Sequence, residues 1–148
     1  MNFKTLFLSK FSRKDKFSKN IKNVVGFYPG DVFLFKTSLV HKSAVHDSST
    51  GFKESNERLE FLGDAILGAI VAKYLFEKFP GKDEGFLTKM RSKIVSRQSL
   101  NALAVKIGLN NLIIARLDKN SKTESIYGNA FEALIGAIYL DKGLEVCE

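Results

Sequence analysis

The chain has 148 residues, 45% hydrophobic and 26% charged, which is enough apolar material for one core and too much for a wholly disordered chain. Its charge-free runs fall well short of the roughly 18 residues a membrane helix needs, and a single cysteine, Cys147, excludes a disulfide framework or a multi-cysteine zinc site. Of the net charge of +7, six units sit in residues 1–22, where Lys4, Lys10, Arg13, Lys14, Lys16, Lys19 and Lys22 face Asp15 alone.

Residues 1–20 therefore read as a basic arm ahead of a nearly neutral body, residues 21–148. Such an arm suits nucleic acid or an anionic surface, or serves only as a solubilising tail. A lysine interrupts the apolar start MNFKTLFLSKF and no small-residue cleavage site follows. No secretory signal is expected, and a cytoplasmic location is.

In chain order, the body opens with a helix over Ile21–Phe27, stopped by Gly26 and the turn Tyr28-Pro29-Gly30. A short apolar helix is predicted over Val32–Val40 and a polar loop over Asp47–Gly51. The longest periodic stretch, Asn56–Phe79, ends at Pro80-Gly81. Helices follow over Gly85–Arg97 and Ser99–Ile107, the latter ended by Gly108, then a polar loop over Arg116–Ser125. Ile126–Leu140 is the last long helix, and Leu144–Cys147 still reads as helical. No strand-like alternation is visible. The fold class is all-α, one compact helical bundle.

The long helix carries the first chemical signal. Glu57, Glu60 and Asp64 stand at i, i+3 and i+7, within roughly 60° of one another at 100° per residue, while Leu59, Gly63, Ile66 and Ile70 gather on the opposite side. No cation lies at i+4 from Glu57 or Glu60, where Phe61 and Asp64 stand. Crowded carboxylates of this kind are either a solvated face near the positive helix end or the oxygen ligands of Mg²⁺ or Mn²⁺. Ser125–Leu140 adds a second signal: SIYGNAFEALIGAIYL contains one charged group, Glu132. A helix apolar nearly all round is buried, and a buried carboxylate needs either a paired cation or a metal. Asn129, one turn before Glu132, could complete an oxygen cage with Glu60 and Asp64.

The strings themselves resemble a known family. NERLEFLGD (Asn56–Asp64) is similar to the signature of the ribonuclease III family. LVHKSA (Leu39–Ala44) resembles the segment before it, FPGKDEG (Phe79–Gly85) the turn after it, and NAFEALIGAIYLD (Asn129–Asp141) the family's second metal-binding helix. The resemblance covers roughly residues 20–148. It implies an all-α endonuclease domain, working as a homodimer on double-stranded RNA in RNA processing, rRNA processing included, and leaving 5′-phosphate and 3′-hydroxyl ends. Its metal ligands would be Glu60, Asp64 and Glu132, with Asp64 and Glu132 catalytic and Mg²⁺ the ion, Mn²⁺ substituting. Glu57 and Glu84 match acidic positions in the catalytic valley shared by two subunits, and Phe61 an aromatic knob entering the partner; by spacing alone Phe61 reads as an ordinary core aromatic.

Two departures matter. Most members carry Asp where this chain has Asn129, whose amide oxygen can ligate Mg²⁺ but brings no charge. That makes a catalytically weakened RNA-binding or scaffolding dimer the alternative function. Longer members also continue into a double-stranded-RNA-binding domain, and this chain is expected to be cut at that domain boundary. Lys89, Lys93 and Arg97 recur every four residues, a stripe that either tracks RNA phosphates or is a plain solvated face. His41, His46 and Cys147 are expected to have structural or surface roles. Neither membrane nor DNA is an expected partner, since the body lacks both an apolar span and a recognition-helix pattern.

Overall fold

The computed structural model describes residues 15–45, 54–116 and 125–148. The remainder of the basic arm, His46, the Asp47–Gly51 stretch and most of the 116–125 loop lie outside the described residues. The described chain is helical, with one isolated bridge between Val40 and Ile114.

The first helix, α1 (Lys16–Val25), begins five residues before the predicted start. Asp15 caps it by accepting from the Ser18 N–H at 2.6 Å, and Gly26, at φ +87°, ends it by donating to the Lys22 carbonyl. Charge, not a lack of helical propensity, made this segment read as arm. It contributes Ile21 to the core, fully buried.

Helix α2 (Val32–Ser38) is capped by Asp31, and its entrance is tied to the far end of the chain. The Asp141 carboxylate accepts from the N–H groups of Gly30 and Asp31 at 2.8 and 2.9 Å. After α2 the backbone is pinned on three sides. Ile114 N–H donates to Leu39, His41 N–H to Ile114, and Asn56 N–H to the Val40 carbonyl. These bonds hold the short α3 (Lys42–Val45) beside the start of the long helix α4 (Glu57–Lys78).

The break expected between Arg97 and Ser99 comes earlier, at Val95-Ser96. Helix α5 (Glu84–Ile94) has Asp83 as its cap, and α6 (Arg97–Lys106) starts afresh under Ser96, whose hydroxyl accepts from Ser99 N–H. A 3-10 turn, Leu109–Asn111, follows Gly108. Then come α7 (Ile126–Lys142) and α8 (Leu144–Cys147).

Helix α7 is the hub. Ala130, Phe131, Leu134, Ile135 and Ile138 share one core with Ile21, Phe35, Leu39, Leu100, Ala104 and Leu109. Its most extensive contact is with α4, and two glycines set the spacing. A Cβ on Gly63 would overlap the Glu132 carbonyl, and one on Gly136 would overlap the Leu59 carbonyl. The two backbones thus touch where only glycine fits. Among the described residues no helix is long and apolar enough to cross a membrane.

Candidate active site

The glycine contact between α4 and α7 fixes which side chains meet. Gly63 lies against the Glu132 backbone, so Glu60 and Asp64, one turn before and one residue after it, flank Glu132 and Asn129. These four line one cleft of about 410 Å³, together with His41, Lys42, Asn56, Glu57 and Phe61. Asn56 is buried, yet its side chain does not cap α4; its amide donates to the Ser38 carbonyl at 3.4 Å and its N–H to Val40. The start of the acidic helix is thereby riveted to the Leu39–Ala44 segment.

Electrostatics in the cleft are those of crowded acids. Burial pushes the Glu132 carboxyl up to about 7, with Asp64 and Glu60 adding to it and Arg97 opposing. Glu60 is also raised, by burial first and Glu57 second, against Lys42, Arg97 and a hydrogen bond donated by the Asn129 amide. Among the described residues no cation pairs with Glu132 within 4.0 Å. The ion-pair reading of Glu132 thus lacks its partner. Glu57 does have one, which helix spacing could not reveal: Lys42 of α3 reaches it at 3.3 Å, and Ser55 also donates to it. That pair is exposed and of little worth to stability.

Three carboxylates and an amide are hard oxygen donors of the kind Mg²⁺ and Mn²⁺ take. As the side chains lie, however, no three acidic or imidazole groups among the described residues stand close enough to share an ion. Asn129 lies near enough to Glu60 to favour its charged form, and both line the cleft. The donor set fits a divalent cation in chemistry, and its residues line one cleft.

The other expected residues fall elsewhere. Glu84 opens α5, accepts from the Thr88 hydroxyl at 2.7 Å, and lines a separate groove with Phe76, Leu87 and Arg91. Within one chain it does not join the cleft. Lys89, Lys93 and Arg97 do not form one stripe on one helix, because the chain breaks at Val95-Ser96. Lys89 and Lys93 are exposed on α5, whereas Arg97 opens α6 and is felt at both Glu60 and Glu132. Phe61 is no core aromatic, being 82% exposed. It stands at a broad groove of about 890 Å³ lined by Phe33, Leu34, Leu62 and Leu140.

His41, expected at the surface or in a structural role, lines the acidic cleft. Its ring Nδ1 accepts from the Ser43 N–H at 3.2 Å and lies 2.8 Å from the Ser43 hydroxyl. Burial holds its imidazole below the ordinary range, Lys42 adds to that, and Glu57 opposes it. The only sequence signal was its place within LVHKSA.

The relatives of the chain agree with this architecture. A family model described as Ribonuclease-III-like matches residues 31–148. The chain belongs to the ribonuclease III family. Among curated relatives, "Ribonuclease 3" of Bacteroides fragilis is 53% identical over 137 residues, covering 92% of this chain and 47% of that protein. "Ribonuclease 3" of Bacteroides thetaiotaomicron is 54% identical over 125 residues, covering 84% and 40%. The chain spans about half the length of these relatives. A solved nuclease domain of ribonuclease III from Campylobacter jejuni, described for flexibility in a region involved in dimer formation, matches with a TM-score of 0.77 at 34% identity. The match covers 87% of this chain and 89% of that one. The ribonuclease III fold, all-α as expected, is therefore that of this chain.

Proposed function

We propose that this chain is the catalytic part of a divalent-metal-dependent endoribonuclease that hydrolyses double-stranded RNA and leaves 5′-phosphate and 3′-hydroxyl ends. One observation carries the reading. Glu60, Asp64, Asn129 and Glu132 open side by side onto one cleft, and Glu132 has no cation partner among the described residues. A folded chain tolerates such crowding when a bound cation neutralises it in use. Membership of the ribonuclease III family supports the same reaction class.

Glu60, Asp64 and Glu132, with Asn129, would hold Mg²⁺, or Mn²⁺ in its place. A divalent ion bound there supplies Lewis acidity, making water nucleophilic near neutral pH and offsetting charge on phosphate oxygens. The chain's own residues do the rest. Glu132, raised to about 7, must give up a proton before it can ligate. Asp64, exposed at the cleft mouth, faces substrate and solvent. Lys89 and Lys93 on α5 and Arg97 on α6 offer exposed cations to RNA phosphates, a contact that selects shape rather than sequence.

The working unit is a homodimer. Phe61 projects from the rim of the cleft beside the apolar groove of Phe33, Leu34 and Leu140, and an exposed aromatic next to such a groove suits a self-complementary contact. Glu84, apart from the cleft within one chain, would join a common acidic valley only through apposition of two copies. The second reading, a weakened RNA-binding dimer, draws on Asn129, which supplies an amide beside Glu60 in place of a charge. Incubating the chain with a long RNA duplex in Mg²⁺ decides between them. Fragments support the nuclease, and tight binding without fragments supports the weakened form.

A further inference from the structure

His41 was not expected in the site, and its hydrogen bonds determine more than its position. The backbone N–H of Ser43 can only donate, so at 3.2 Å from Nδ1 it requires that nitrogen to be an acceptor. The Ser43 hydroxyl agrees. Its oxygen receives the Arg116 N–H at 3.0 Å, which leaves its own proton free to point at Nδ1, 2.8 Å away. With two donors aimed at Nδ1, the ring proton belongs on Nε2. Nε2 is on the far edge of the ring from Ser43, and His41 lines the cleft with Glu57 and Glu60. The backbone that carries the ring is held as well. His41 N–H donates to Ile114, and the His41 carbonyl accepts from Ala44.

A cleft lined by four carboxylates, with its Lys42 ammonium already paired to Glu57, offers an incoming polyanion little to bind. A neutral N–H donor, fixed in direction, is a group there that can bond a backbone oxygen of RNA without competing for the cation. We propose that His41 is a substrate-binding residue of this site, presenting Nε2–H to an oxygen of the RNA sugar–phosphate backbone, with Ser43 and the Ile114–Arg116 segment setting its tautomer and direction. The proposal rests on the nuclease reading, since it assumes that RNA enters this cleft. It assigns a role that neither the acidic signature nor the metal donors carry.

The test compares His41→Asn, whose amide can replace Nδ1 against Ser43 but has nothing at the Nε2 position, with His41→Gln, whose amide nitrogen reaches toward Nε2. Binding of a labelled RNA duplex is measured in the Glu132→Gln background, and steady-state cleavage in Mg²⁺ in the otherwise unchanged chain. Thermal melting of each variant reports its folding. His41→Asn is expected to weaken binding and raise KM about five-fold, the worth of one neutral hydrogen bond, with kcat held and His41→Gln restoring most of the loss. Nitrogen NMR of the imidazole should show a bare Nδ1 and a protonated Nε2. A duplex with 2′-deoxyribose in one strand identifies the acceptor: a loss that disappears there assigns a 2′-hydroxyl, and one that persists assigns a phosphate oxygen. A folded His41→Asn chain that binds and cuts like the parent, or a proton found on Nδ1, would overturn the proposal. Wild-type chain that binds duplex in a His41-dependent way yet never cuts it would instead overturn the nuclease reading alone.

Discussion

Glu132 is the residue on which the account turns, and its titration gives a prediction without any substrate. Its carboxyl stands at about 7 in the folded chain against 4.5 for an ordinary glutamate. The folded state therefore binds this proton more tightly than the unfolded state does. The resulting stabilisation is complete below about pH 4.5 and is lost as pH rises through about 7. In EDTA, raising the pH from the acidic to the alkaline side of that window should lower the melting temperature of the wild-type chain by more than that of Glu132→Gln. A steeper fall in the variant would show that the carboxylate is not crowded. Mg²⁺ should raise the alkaline melting temperature of wild type, and of Glu132→Gln far less. Asn129→Asp tests the neighbour. It replaces a neutral amide in the cleft by a charge beside Glu60 and Glu132, so it should lower metal-free stability and also lower the Mg²⁺ concentration needed for half-maximal stabilisation. Titration followed by melting checks both at once. Part of this was legible in the sequence, where a lone Glu in an otherwise apolar helix and three acids on one face stand out, although spacing alone leaves a solvated face or an ion pair open. His41 was not. Its bond to Ile114, and that of its partner Ser43 to Arg116, join segments more than seventy residues apart, and no local spacing encodes them.

At the scale of elements, two glycines bring α4 and α7 into backbone contact, and the cleft exists because they do. Gly63→Ala would drive a methyl into the Glu132 carbonyl, a rigid backbone atom rather than a side-chain tip. The cost should reach or exceed the about 1–3 kcal/mol of ordinary overpacking, read as a drop in denaturant midpoint, and Mg²⁺ stabilisation should weaken with it. Gly68→Ala on the same helix, where a Cβ meets nothing within 4 Å, is the control and should be neutral or better. Equal stability of the two variants would refute the contact. The helical elements themselves were largely readable, since Gly108 and the Pro80-Gly81 turn punctuate them. Two boundaries were not. Lys16, Lys19 and Lys22 made the first helix look like a solvated tail, while its Asp15 cap and buried Ile21 are what establish it. The charge repeat Lys89, Lys93, Arg97 ran across Ser96, whose hydroxyl opens a new helix. Periodicity alone cannot see a cap overriding it.

For the whole molecule, the proposed dimer rests on the exposed Phe61. Its ring is 82% exposed, so Phe61→Ala should leave the melting of an isolated chain nearly unchanged while weakening self-association by about 2 kcal/mol or more, as loss of a buried interface aromatic does. Sedimentation over a range of concentrations measures it, and a wild-type chain that stays monomeric at micromolar concentration would count against the dimer. An exposed aromatic such as Phe61 reads as core in a sequence, because hydrophobicity does not say whether its own chain covers it. The central claim is the chemistry of the cleft, and its most direct test is end analysis of a long RNA duplex incubated with wild type and Glu132→Gln, each in Mg²⁺ and in EDTA. The account predicts fragments with 5′-phosphate and 3′-hydroxyl ends from wild type in Mg²⁺ and from no other combination. Equal cleavage by Glu132→Gln, or cleavage that persists in EDTA, would contradict it.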